Sequence, residues 1–270
     1  MLRKTFSKDT DTILSAKCDH RSLSTTTTST ASSEKFYGSP RKNDMKSLSP
    51  LQSIALAAYS ATHAYLNPER HDMVATLAEV SGSIALQSMH KGMMSHPTGQ
   101  RILQDRPLVN TQSIDIPKLK ELPSNTFGYN YARFLAEHEF NPNHRADVKY
   151  IDDPDLAYVM TRYRQNHDFF HVLTDLPPTV PGELALKYVE LFQTGLPICA
   201  LSSTVGSLKL SGEDRIVWKN IYLPWAIRVG KTGNKKKWMH VYWEEEFERD
   251  LQELRDELGI ETAPQNDVLS

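Results

Sequence analysis

Asp153-Pro154-Asp155-Leu156-Ala157-Tyr158-Val159-Met160-Thr161-Arg162-Tyr163-Arg164-Gln165-Asn166-His167-Asp168-Phe169-Phe170-His171-Val172-Leu173-Thr174 is the stretch whose reading decides the fold. Asp before Pro is a helix start, because the aspartate can cap free N–H groups and proline suits the first helical position. Counting back from His171 at helical spacing meets His167, Tyr163, Met160 and Leu156, the face that should turn towards a core. At about 100° per residue, His167, Asp168 and His171 share a wedge roughly 100° wide. Ionisable groups at core positions are costly unless they are paired or bind a metal.

Glu183 follows His171 after eleven intervening residues. Between them lies Leu176-Pro177-Pro178-Thr179-Val180-Pro181-Gly182, a turn able to reverse the chain and return a fourth donor to the same point. His167, Asp168, His171 and Glu183 are therefore candidate metal ligands. Two imidazoles and two carboxylates suit zinc, or non-haem iron or manganese where the carboxylates dominate. The competing explanation of a lone His-Asp pair is a surface hydrogen bond or a helix-end contact.

The rest of the chain reads as helices. Ser49-Pro50-Leu51-Gln52 is a capping box with proline at the first position, and helices are expected from Asn67-Pro68 to about Gly82 and from Ile84 to Met94. A short helix should end near Arg106-Pro107, with an ordered loop to Asn125. Thr126–Phe140 is helical by its pattern. Glu183 should open a helix ended by Gly195-Leu196-Pro197; a shorter one should follow Cys199 and another the cap at Ser211. Trp243–Leu258 reads as a final charged helix, with a short extended piece at Trp238–Tyr242. The fold class is all-α, a single helical domain over residues 47–262 with a flexible tail over 263–270.

Residues 1–46 differ in composition, holding nine Lys/Arg against five Asp/Glu, while the remainder holds 22 against 28. Ser22–Ser33 is almost wholly hydroxylated and cannot bury enough apolar surface to fold. This segment reads as a mitochondrial targeting leader and disordered linker, although Asp9, Asp11 and Asp19 depart from the acid-poor pattern of a transit peptide. Two cysteines, Cys18 and Cys199, give no disulfide framework. No apolar run approaches the roughly 20 residues that span a bilayer. The acidic body without a basic aromatic stripe argues against nucleic acid.

Other residues invite weaker readings. Asp168 is too short to act as the base of a peptidase HExxH helix. A His-Asp phosphohydrolase would need more ligands, for which only His138, His144 and Asp147 offer themselves, with no distinctive spacing. Arg162, Tyr163 and Arg164 are candidate substrate contacts, an arginine gripping an anion, or else they lie on solvated helix surface. Met89, Met93 and Met94 pack a core or line a lipid groove. Lys235-Lys236-Lys237 beside Trp238 form a solvated turn or touch anionic lipid.

Tyr158–His171, Glu183, Gln193-Thr194-Gly195-Leu196-Pro197 and Tyr222-Leu223-Pro224-Trp225-Ala226 resemble the mitochondrial ubiquinone (coenzyme Q) biosynthesis protein 4 family, as do Arg106-Pro107, Thr126-Phe127-Gly128 and Phe134-Leu135. The similarity runs from about Ser49 to Ile260. It implies a peripheral protein on the matrix side of the mitochondrial inner membrane, with a divalent metal, most often described as zinc, on His167, Asp168, His171 and Glu183. The partners implied are other ubiquinone-biosynthesis enzymes in a multi-enzyme complex, a polyprenylated benzoate or other isoprenoid lipid, and the membrane surface; a homodimer is a further option. The activity implied is that of a lyase, C1-decarboxylation of a 4-hydroxy-3-methoxy-5-polyprenylbenzoate, with oxidative hydroxylation at that carbon also ascribed to the family. The alternative is a non-catalytic, metal-stabilised scaffold of that complex.

Overall fold

The computed structural model describes residues 47–67, 70–232 and 237–264. The expected leader over 1–46 and Lys235 and Lys236 lie outside the described residues, as does the tail from 265. Among the described residues the chain is helical, with no strand and one isolated antiparallel bridge between Thr126 and Asp250. No described helix is long and apolar enough to cross a membrane.

Helix α1 (Pro50–Leu66) starts at the capping box, in which the Ser49 hydroxyl accepts from Gln52 N–H and the Gln52 side-chain Oε1 accepts from Ser49 N–H at 2.9 Å. Helix α2 (His71–Ser81) begins later than Asn67-Pro68; Asn67 N–H closes onto His63 O at the end of α1, and Arg70 N–H donates to Asn67 O ahead of α2. Helices α3 (Ser83–Met94) and α4 (Pro97–Asp105) follow; α4 stops where Arg106 adopts a left-handed conformation (φ 49°) before Pro107. The loop expected to reach Asn125 contains one short helix, α5 (Ile116–Leu119), capped by Asp115. Helix α6 (Phe127–Glu137) ends before Phe140, with Glu139 at positive φ.

Helix α7 (Pro154–Thr174) has the limits its sequence predicts. The Asp153 carboxylate accepts from the N–H groups of Asp155 and Leu156, and Asp175 ends the helix in the left-handed region. Its N-terminal half lies in one apolar cluster, with Val159 and Met160 against Leu86, Met93 and Ile102. Its C-terminal half lies in another, with Phe169 and Phe170 against Phe127, Tyr131, Trp238 and Trp243. Burying such side chains is worth roughly 1.5–3 kcal/mol each, so α7 is held along its whole length. Met89 and Met93 are core residues and Met94 points outward. A shallow, mostly apolar groove of about 350 Å³ lies between α2 and the later helix α9 (Pro197–Leu208), lined by Leu77, Ile198 and Leu201.

Helix α8 (Val180–Thr194) starts one turn before Glu183 because Thr179 is the cap, accepting from Gly182 N–H; Gly195 ends it at φ 71°. Beyond α9, helix α10 (Gly212–Val217) runs through a wide turn at Trp218–Tyr222 into α11 (Leu223–Thr232). The expected helix Trp243–Leu258 is instead a single 3-10 turn at Trp243–Glu245 and, after a break, helix α12 (Leu251–Leu258). Asp250 makes the break by capping α12, its carboxylate accepting from Gln252 and Glu253 N–H. Trp238–His240 is a 3-10 turn, so no strand forms there. At the C-terminal side Ala263 is buried and its N–H donates to Thr174 O at 2.7 Å, which carries the packed structure past residue 262.

Candidate metal centre

The turn between α7 and α8 brings His167, His171 and Glu183 together. Its tightness rests on Gly182, where a Cβ would stand 2.1 Å from Pro177 O. His167 Nε2 lies 3.2 Å from one Glu183 oxygen and His171 Nε2 lies 3.1 Å from the other. One ligating atom from each of the three falls within 4.8 Å of the others. The imidazoles are buried and meet edge to face with centroids 4.9 Å apart, whereas the Glu183 side chain is 37% exposed and forms the open side.

Hydrogen bonds on the far nitrogens fix what these rings can do. His171 Nδ1 faces Leu176 O at 3.0 Å, and a carbonyl only accepts, so Nδ1 carries the proton. His167 Nδ1 likewise donates to Glu190 Oε1 at 2.6 Å. In the neutral rings both Nε2 lone pairs then point at the Glu183 carboxylate, an arrangement that is repulsive unless a cation lies between them or each ring gains a second proton. Outer hydrogen bonds with inner lone pairs are the usual state of metal-binding histidines, so this donor set fits a divalent cation. When each ring holds its second proton, burial still pushes the Glu183 pKa up, but the His167 charge and hydrogen bonds from both imidazoles outweigh it and hold the carboxyl well below the usual range.

Asp168 is buried next to these groups but does not join them. Its carboxylate accepts from Arg145 Nη2, so the four-donor set expected from sequence reduces here to three donors and an ion pair alongside. His138, His144 and Asp147 are also absent from the cluster.

The three candidate substrate contacts have other partners. Arg162 is fully buried, with its guanidinium on both Glu244 oxygens and 3.3 Å from Val241 O, so it is neither a substrate grip nor solvated surface. Arg164 donates to Glu79 and to Ala75 O, both at 2.8 Å, tying α7 to α2. Tyr163 donates to Glu190 Oε2 at 2.6 Å and lies 3.2 Å from Cys199 Sγ. Lys237 donates to the Phe192 and Gln193 carbonyls at the end of α8.

Sequence reasoning missed Glu190, Lys187 and Arg145. The first two carry a readable signal: Glu183, Lys187 and Glu190 are spaced i, i+4 and i+7, one face of α8. Lys187 Nζ lies 2.6 Å from Glu190 Oε2 and 3.3 Å from both His167 Nδ1 and the Tyr163 hydroxyl. Burial opposes ionisation of Glu190, yet Lys187 and His167 overcome it and keep the carboxyl far below its ordinary range. Burial also pushes the Cys199 thiol up to about 12, which leaves it protonated. Arg145 has no periodic signal, because it lies in the loop before α7.

The family model described as Coenzyme Q (ubiquinone) biosynthesis protein Coq4 matches residues 43–264. The ubiquinone biosynthesis protein COQ4 homolog, mitochondrial, of Aedes aegypti is 43% identical over 220 residues, which cover 82% of this chain and 79% of that one. The ubiquinone biosynthesis protein COQ4, mitochondrial, of Uncinocarpus reesii is 44% identical over 218 residues, covering 80% and 77%. A crystal structure of a Nostoc punctiforme protein overlays with a TM-score of 0.60 at 21% identity, over 77% of this chain and 99% of that one, a likeness of fold.

Proposed function

Since the chain belongs to the Coq4 family of coenzyme Q (ubiquinone) biosynthesis proteins, we propose that it carries out metal-dependent C1-decarboxylation of a 4-hydroxy-3-methoxy-5-polyprenylbenzoate. The observation that carries this reading is the convergence of three donors, with Asp168 engaged elsewhere. Structural zinc sites are closed by four protein ligands, whereas catalytic ones keep three and leave a position for substrate. His167 Nε2, His171 Nε2 and the Glu183 carboxylate would hold the ion, and zinc suits them. A divalent cation supplies Lewis acidity towards a substrate oxygen.

The remaining work falls to the chain's own groups. Arg145, one third exposed and fixed by Asp168, keeps further N–H donors with which to orient the benzoate carboxylate. Its partner Asp168 follows His167 directly on α7, which supports a position for Arg145 beside the donors. A proton from solvent adds to the ring at C1 while the para hydroxyl gives its own proton to water, forming a dienone; the C1–carboxyl bond then breaks, carbon dioxide leaves, the electron pair returns to the ring as an aromatic phenolate, and the phenolate oxygen takes back a proton. The apolar groove between α2 and α9 is the candidate path for the polyprenyl tail.

A second reading is favoured by one observation. Leu51, Ile54 and Leu66 of α1 are exposed, as a scaffold that docks other pathway enzymes or the inner-membrane surface would require. Relatives named mitochondrial support a mitochondrial setting, and a peripheral position on the matrix side of the inner membrane is part of the same proposal. The test is release of labelled carbon dioxide from a carboxyl-labelled prenylated 4-hydroxy-3-methoxybenzoate by the zinc-loaded full chain. Turnover that falls on Arg145→Gln through a raised KM is expected. Binding without release would favour the scaffold.

A further inference from the structure

His167 differs from His171 in what stands behind it. His171 leans on a backbone carbonyl, whereas His167 leans on Glu190, a fully buried carboxylate whose two oxygens have separate tasks. Oε1 accepts from His167 Nδ1 at 2.6 Å. Oε2 accepts from the Tyr163 hydroxyl and from Lys187 Nζ, both at 2.6 Å. Tyr163 stands one turn before His167 on α7, and Lys187 one turn after Glu183 on α8. The carboxylate is thus braced from both helices of the hairpin that forms the metal site.

We propose that Glu190 and Lys187 are positioning residues for the metal centre: Glu190 fixes the His167 ring with Nε2 aimed at Glu183 and Lys187 balances the carboxylate's buried charge. This inference rests on the metal-binding reading of His167, His171 and Glu183. A carboxylate behind a ligating imidazole sets its tautomer and raises its basicity, and losing such a partner typically costs 10–100-fold in metal affinity. Lys187 makes the arrangement tolerable in the interior, because an uncompensated buried carboxylate would be strongly unfavourable. Tyr163 donates to the same oxygen as Lys187, joined by the Cys199 thiol at 3.8 Å, so that Oε2 is tethered while Oε1 stays on His167.

The experiment titrates cobalt(II) alone into metal-free full-length protein and follows the visible d–d bands, with the ring-nitrogen tautomers of the metal-free protein read by long-range proton–nitrogen NMR. Glu190→Gln should weaken cobalt binding by about 10–100-fold. It should also shift the His167 tautomer while His171 stays protonated at Nδ1, which a merely structural role would not do. Where the single variant folds poorly because Lys187 is left unpaired, the double variant Glu190→Gln/Lys187→Met removes both charges and should keep the weakened binding. A folded variant of either kind with wild-type affinity and an unmoved His167 tautomer overturns the role of Glu190 and leaves the metal site standing. Wild-type protein that takes up no cobalt overturns both.

Discussion

Helices α1 and α7 begin alike, each with a capping side chain followed by proline, and then reverse the usual relation between polarity and burial. Helix α1 carries no Asp, Glu, Lys or Arg, yet Ser60 is its one buried residue and Leu51, Ile54, Tyr59, Tyr65 and Leu66 are exposed. Helix α7 carries Asp155, Arg162, Arg164 and Asp168 together with both histidines, and buries fifteen of its 21 residues. The difference lies in partners. Each α7 charge meets an opposite one from another part of the chain: Arg106, Glu244, Glu79 and Arg145 respectively. A charge can enter the interior when its partner is delivered there, and an apolar helix stays exposed where none of the described elements covers it.

The contrast breaks most sharply at the metal residues. His171→Ala should reduce bound zinc from about one equivalent per chain to none detectable, measured by elemental analysis after gel filtration, with loss of carbon dioxide release. Next in size is the buried ion pair. Arg162→Leu leaves Glu244 without its partner and should cost about 3–5 kcal/mol in urea unfolding, while Arg162→Leu/Glu244→Leu should recover a good part of that loss. A double variant no better than the single one would mean that the charge pair is not what holds α7 inside.

His240 supplies the opposite case, a partly buried imidazole flanked by His96 and Lys237. Burial first, then His96 and Lys237, lower its pKa to about 4. The unfolded chain therefore takes up a proton between pH about 6.5 and 4 that the folded chain refuses. Stability should fall as pH drops through that window and level off below it. Urea midpoints measured from pH 7 to 4 should show a shallower decline for His240→Gln, and the effect should be modest because the ring keeps contact with solvent. The smallest change is expected in α1, where Leu51→Gln/Ile54→Gln should alter stability by no more than about 0.5 kcal/mol in the same assay. A large loss there would show that the apolar face is already covered.

What could be read in advance followed from local chemistry. The limits of α7 rest on Asp153-Pro154 at one end and a left-handed residue at the other, and the α7–α8 reversal rests on the Pro/Gly turn; all of these act within a few residues. His167, His171 and Glu183 were legible as a group because helical spacing and one turn suffice to join them. What long-range contact decides was hidden. Arg162 and Glu244 lie 82 residues apart, so nothing near Arg162 marks it as a buried structural cation. Arg145 reaches Asp168 across 23 residues and takes it out of the donor cluster. The break at Asp250 was hidden too, because its neighbours continue the amphipathic pattern while its own carboxylate accepts from Asn125 as well as capping α12.

The most direct measurement is a crystal structure of the zinc-loaded protein with anomalous data on both sides of the zinc edge. A single strong peak bonded to Nε2 of His167, Nε2 of His171 and the Glu183 carboxylate, with Asp168 still on Arg145, is the expected result. No peak there, or a zinc ion held by other residues while Glu183 turns away into solvent, would contradict it.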